Sequence, residues 1–233
     1  MRHALLPILV CLALSLAFAA CAEDGAAKPA EQKPKTILAL GDSYTIGQSV
    51  AESERFPMQL AKMLKKEGIP TADPQIIART GWTTDELAQA IKAEGPKGPY
   101  DLVTLLIGVN NQFRGRSEDE YKMQFAELLK QSIEFAGGDA SHVIVFSIPD
   151  WGVTPFARTY DSKKVAAEID RFNAINKDAA TKSKVQYVDV TPVSRQAATD
   201  GTLVARDGLH PSASMYAEWC KLALDAAKSA LKK

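Results

Sequence analysis

The sequence predicts an α/β domain, a parallel sheet covered by helices on both faces. Three observations lead there. Five short runs rich in Val, Ile and Leu recur along the chain, longer stretches with helical spacing of apolar residues separate them, and turn-forming residues mark the changeovers. Successive parallel strands need a crossover of a dozen or more residues between them, and the helical stretches supply it.

The first run, 36–40, leads into Gly41-Asp42-Ser43-Tyr44. Phe56, Leu60, Met63 and Leu64 then recur at a helical period until Gly68 ends the pattern. A second strand is expected at 75–78. Behind it, Thr83-x-x-Glu86 has the form of a capping box, whose hydroxyl and carboxylate satisfy the first free amides of a helix carrying Leu87 and Ile91. The third strand, 102–107, runs into Gly108-Val109-Asn110-Asn111. Ser117-x-x-Glu120 opens a helix with Tyr121, Phe125, Leu128 and Leu129 on one face. A fourth strand is expected at 142–148, a helical stripe of Val165, Ile169, Phe172 and Ile175 follows, a fifth strand covers 185–190, and Ser212 opens the last helix. All five runs read as strands buried on both faces, the habit of a parallel sheet.

A chain of 233 residues, 46% hydrophobic and 24% charged, suits one domain with a substantial core. Its 28 basic side chains equal its 28 acidic ones and no basic run stands out, so no field draws nucleic acid, which is excluded as a partner.

Residues 1–20 read as a signal peptide, with positive charge at Arg2, an apolar run over 4–18, and small residues at Ala19, Ala20 and Ala22. Ala17-Phe18-Ala19 and Ala20-Cys21-Ala22 suit an ordinary signal peptidase. Phe18-Ala19-Ala20-Cys21 resembles a bacterial lipoprotein box, with Phe18 where Leu is usual, and would make Cys21 an acylated first residue. The lipoprotein reading is carried forward, giving an exported, lipid-anchored envelope protein. A free periplasmic protein and a retained apolar anchor are its alternatives. Residues 21–35, rich in Ala, Lys, Glu and Pro, have the composition of a tether, and 36–233 form the folded domain. Cys11 leaves with the signal, which makes Cys220 a solitary thiol, read as buried and structural beside Trp219 and Leu222. No spacing of Cys and His suits a metal, and neither metal nor organic cofactor is expected.

Ligands of an open parallel sheet collect beyond the carboxyl ends of its strands. Ser43 stands there, after the first strand. By itself Gly-Asp-Ser is more often a turn or helix start than a nucleophile. Asp207-Gly208-Leu209-His210-Pro211 places a carboxylate and an imidazole three residues apart, before a helix. A serine hydroxyl near pH 7 needs a base, and that imidazole needs a carboxylate to set its tautomer and stabilise its charged form. Asn110 offers an amide donor at the end of the third strand, and Gly81 follows the second; alone, both are ordinary loop residues. His142, at the opposite end of a strand, reads as structural.

In this order, Ser43 in G-D-S, Gly81, Asn110 in G-x-N, and Asp207 with His210 in D-x-x-H, the four blocks resemble the SGNH (GDSL) hydrolases. Asn111 departs from the Asp usual after the Asn. The resemblance spans nearly the whole mature domain. It implies a flavodoxin-like three-layer sandwich with a five-stranded parallel sheet ordered 2-1-3-4-5, and hydrolysis of carboxylic acyl esters or thioesters. It further implies a catalytic triad of Ser43, His210 and Asp207, with an oxyanion hole from the backbone N–H groups of Ser43 and Gly81 and the side-chain amide of Asn110. The α/β-hydrolase elbow, G-x-S-x-G, is absent because Thr45 stands where its second Gly would fall. Trp82, Phe113, Trp151 and Phe156 follow strand ends and are candidates to line an acyl pocket. The expected partner is a small-molecule, lipid or saccharide acyl ester. Small acyl groups come first, with lysophospholipid or thioester hydrolysis, O-acyl transfer, and an inactive envelope scaffold as alternatives.

Overall fold

The strands are β1 (Ile37–Gly41), β2 (Gln75–Ala78), β3 (Leu102–Leu106), β4 (Val143–Phe146) and β5 (Gln186–Val188). The helices are α1 (Ser43–Ile46), α2 (Phe56–Lys66), α3 (Thr84–Glu94), α4 (Val109–Phe113), α5 (Glu118–Phe135), α6 (Ser162–Lys182), α7 (Thr191–Arg195) and α8 (Ala213–Leu231). The computed structural model describes residues 33–232, within the unit Gln32–Lys233; the signal peptide, Cys21 and most of the tether lie outside the described residues.

All pairings are parallel and the sheet order is β2-β1-β3-β4-β5, the flavodoxin-like arrangement. The chain steps one way from β1 to β2, then crosses back over β1 to β3 and continues to β5. Right-handed crossovers therefore place α2 on one face and α3, α5 and α6 on the other. The packing agrees: α2 lies against α8, while α5 touches both α3 and α6.

Every residue of β1, β3 and β4 is buried. Reading all five strands as buried on both faces holds only for these three. β2 and β5 are the sheet edges, and their first residues, Gln75 and Gln186, are exposed. Phe56 and Trp219, fully buried between α2, α8 and the sheet, lie 6.4 Å apart, and burying side chains of this size contributes about 1.5–3 kcal/mol each. Cys220 is buried there as expected, its Sγ 3.2 Å from the Phe56 carbonyl, and burial pushes its thiol up to about 12. Leu222, by contrast, faces outward.

The caps follow the sequence, except that the Thr83 hydroxyl turns to Asp85 Oδ1 at 2.5 Å instead of to an amide. Thr83 N–H donates to Glu86 Oε2 at 2.9 Å, and the hydroxyls of Ser117 and Ser212 accept from the Glu120 and Met215 amides. Pairing with the sheet edge begins at Lys35: its N–H donates to the Pro70 carbonyl, its carbonyl accepts from Ala72, and its ammonium reaches Asp101 at 3.1 Å. His142 lies in a 3-10 turn ahead of β4, away from the strands' carboxyl ends.

Candidate active site

β1 sits at the point where the sheet order reverses, so the crevice between the β1 and β3 loops is where a ligand collects. Gly41 ends β1 in register with Leu106, the last residue of β3. A Cβ on Gly41 would stand 2.4 Å from the Leu106 carbonyl and 2.1 Å from the Thr45 hydroxyl, so no other residue fits without displacing the loop. Asp42 is the cap of α1: its Oδ1 accepts from Tyr44 N–H at 2.9 Å, and burial pushes its carboxyl up to about 7. Ser43 is the first residue of α1, and first-turn amides have no acceptor within their own helix.

Ser43, Gly81, Asn110 and His210 line one cavity of about 150 Å³. Asp207 stands behind His210, its Oδ2 2.6 Å from Nδ1 of the imidazole. Local turn geometry makes this contact: Asp207 Oδ1 accepts from the Leu209 and His210 amides at 2.9 and 3.0 Å, folding the segment back on itself. The Ala205 amide donates to the His210 carbonyl at 2.7 Å, clamping the turn below α8. Burial would raise the Asp207 carboxyl, but hydrogen bonds from the Ser49 hydroxyl, the Leu209 amide and His210 outweigh it and hold the carboxyl down at about 2. It is therefore an ionised acceptor across the whole neutral range, as an imidazole needing a fixed tautomer requires.

Asn110, second residue of α4, donates from Nδ2 to the Trp82 carbonyl at 3.0 Å. A side-chain amide carries two N–H groups, so this bond fixes the group while leaving a second donor. Gly81 has a left-handed backbone, φ 89, which any residue with a Cβ would adopt only under strain. Its carbonyl is held by Arg114 Nη2 at 2.5 Å, and Arg114 Nη1 pairs with Glu86 at 3.3 Å.

Of the four aromatic residues expected in a pocket, Phe113, Trp151 and Phe156 line the cavity together with Val109 and Leu209. Trp82 is not among its walls; it packs against the core and contributes its carbonyl to Asn110. Tyr160 joins the aromatic group, stacked on Phe156 at 5.8 Å and edge-on to Trp151 at 5.0 Å. Trp151 is the buried member, its Nε1 donating to Gln112 Oε1 at 2.8 Å, whereas Phe113, Phe156 and Tyr160 are more than 40% exposed. Asp150, another carboxylate near the cleft, is spoken for by Arg195 Nε at 2.9 Å and the Gly152 amide at 2.8 Å. Among the described residues no group of three His, Cys, Asp or Glu side chains is placed to hold a metal ion.

Sequence reasoning missed Ser49, Arg114 and the Trp82 carbonyl, which touch Asp207, Gly81 and Asn110 respectively. Nothing in their local sequence marks them.

Chemically, this is a cavity with an alcohol, an imidazole backed by an ionised carboxylate, and amide donors beside the alcohol. Such a set can activate a hydroxyl and stabilise an anion forming next to it. Several solved structures share the fold. TesA superposes with a TM-score of 0.67 at 18% identity over 84% of this chain and 100% of that one. The psychrotrophic esterase EstA from Pseudoalteromonas sp., inhibited by monoethylphosphonate, gives 0.62 at 17% over 85% and 100%. Axe2, an acetylxylan esterase from Geobacillus stearothermophilus, gives 0.62 at 16% over 83% and 94%. No curated protein matches in sequence. The model of the GDSL-like lipase/acylhydrolase family matches residues 39–218, most of the folded domain, and the chain belongs to that family of hydrolases.

Proposed function

We propose that this hydrolase is a serine esterase that cleaves small acyl esters through a covalent acyl-enzyme. The observation that carries the reading is the 2.6 Å contact from Asp207 to His210 Nδ1, behind an imidazole that shares its cavity with Ser43. His210 takes the Ser43 proton as Oγ attacks the acyl carbonyl, Asp207 stabilises the imidazolium, and the same proton then goes to the leaving alcohol. Water enters by the same route in reverse and releases the acid. Negative charge on the carbonyl oxygen is met by the N–H groups of Ser43 and Gly81 and by the free N–H of Asn110.

Cavity size supports a short acyl group. A volume of about 150 Å³ is that of a benzene-sized guest, so the part of this open cavity walled by Val109, Phe113, Trp151 and Leu209 suits an acyl group of a few carbons. A panel of nitrophenyl esters from acetate to palmitate tests this. Rates are expected to peak at the shortest chains, and a peak at long chains would move the assignment to lysophospholipids. A fluorophosphonate probe should label Ser43, and failure to label any serine would remove the nucleophile altogether.

The export reading belongs to the same proposal: cleavage ahead of Cys21 and acylation of its thiol tether the enzyme to the cell envelope. Among the described residues no helix is long and apolar enough to cross a membrane. Cys21→Ser is expected to release the mature protein from membranes and remove lipid from its mass, because the tether has no apolar face of its own. Unchanged mass and partitioning would establish ordinary signal cleavage.

A further inference from the structure

The turn that follows α1 reaches both rims of the cavity. It hangs from the nucleophile's own residue, since the Gln48 amide donates to the Ser43 carbonyl at 3.0 Å. Gln48 Oε1 accepts from the Thr80 hydroxyl at 2.6 Å, beside Gly81. On the other side the Ser49 hydroxyl donates to Asp207 Oδ2 at 2.6 Å, to the same oxygen that His210 Nδ1 contacts. Ser49 has φ 68; with Lys184 it is one of two non-glycine residues in the left-handed region among the described residues. That conformation is unfavourable for any residue with a Cβ, and a glycine would adopt it freely. A serine there forgoes that ease and supplies a hydroxyl.

We propose that Ser49 is a positioning residue for the acid–base pair, tying the Asp207 carboxylate to the loop that carries the nucleophile. The inference rests on the esterase reading above. Asp207 Oδ1 is fixed only by amides of its own turn, so those bonds set its place relative to His210 and not relative to Ser43. Ser49 is the contact that refers the carboxylate to the far side of the cavity, across 158 residues of sequence. A hydrogen bond to an ionised oxygen is short and strong, and its donor competes with the imidazole for Oδ2 in a fixed direction, so it sets the angle at which the carboxylate meets Nδ1. Displacing a catalytic group slightly from its productive geometry lowers the chemical step while substrate binding is untouched.

Two variants separate the hydroxyl from the backbone. Ser49→Gly removes the hydroxyl and relieves the strain; Ser49→Ala removes the hydroxyl and keeps it. Both are expected to lower kcat for a short-chain nitrophenyl ester about tenfold, the scale of one charge-assisted hydrogen bond, with KM unchanged. Tm should instead follow the Cβ, equal to or above wild type for Gly and below Gly for Ala. The low-field proton resonance of the His210 Nδ1–H bond should shift in both. A kcat within about twofold of wild type in either folded variant overturns the proposal, being well short of what a charge-assisted hydrogen bond supplies. Fluorophosphonate labelling of the wild-type enzyme is the separate control: its absence sinks the esterase reading, whereas intact labelling with unchanged variants sinks only the role of Ser49.

Discussion

Ser43→Ala is expected to lower kcat by about three to six orders of magnitude, as when one member of a catalytic unit is removed, while the fold stays intact. Stability should hold because nothing structural depends on the hydroxyl. Asp42, not Ser43, caps α1, and Gly41, not Ser43, permits the close approach of β1 and β3. Ser43 is only 4% exposed, and Ala fills its site without a clash or a cavity. The amide donors at Gly81 and Asn110 survive the change, so the residual rate should still exceed that of water alone. The measurement is kcat on purified protein with Tm as control, since a substitution that merely unfolded the loop would lower both. Activity that persisted beside an unchanged Tm would place the nucleophile elsewhere.

The buried strands and the long helices were legible because each leaves a pattern several residues long. Val, Ile and Leu crowd β1, β3 and β4, which are covered on both faces, and a 3.6-residue stripe marks α2, α5, α6 and α8. Helices α1, α4 and α7 are four or five residues long, too short for a period to show, and edge position leaves no mark on the strand runs themselves; it follows only from the sheet order that the family resemblance implies. Ser43, Gly81, Asn110, Asp207 and His210 each stand in a recognisable block, and the fold brings Ser43, Gly81, Asn110 and His210 to one cavity with Asp207 behind His210. The residues that hold them were not found. Ser49 meets Asp207 across 158 positions, Arg114 meets Gly81 across 33, and Asn110 is held by a backbone carbonyl, which has no residue identity to read. Partners of this kind become visible only once the chain is folded.

Asn111 illustrates the same limit. It stands where the family usually has Asp, and in the folded chain it is a brace between two helices. The side chain is buried, its Oδ1 accepts from the Thr84 amide at 3.1 Å, and its Nδ2 donates to the Thr84 hydroxyl at 2.8 Å. It thereby holds the start of α3 against α4, while its neighbour Asn110 faces the cavity.

The pair gives a test that separates catalysis from scaffolding within two adjacent residues. Asn110→Ala should lower kcat by about a hundred- to a thousandfold, roughly 2.7–4 kcal/mol of transition-state stabilisation, with KM barely changed. The amide strengthens its bond only as charge grows on the carbonyl oxygen, and an interaction absent from the ground state leaves no trace in KM. Losing the bond to the Trp82 carbonyl adds a stability cost of about 1 kcal/mol, too small to mimic the kinetic effect. Asn110→Asp should be worse than Ala, because an ionised carboxylate would oppose the developing oxyanion with like charge. Asn111→Ala should do the reverse, lowering stability by about 1–3 kcal/mol through the buried Thr84 amide it leaves unpaired and sparing the kcat of protein that remains folded. Both variants are therefore assayed well below the lower of the two Tm values. If Asn111→Ala then lowers kcat as far as Asn110→Ala does, the donor is not Asn110, and the loop as a whole, not one amide, is what the reaction needs.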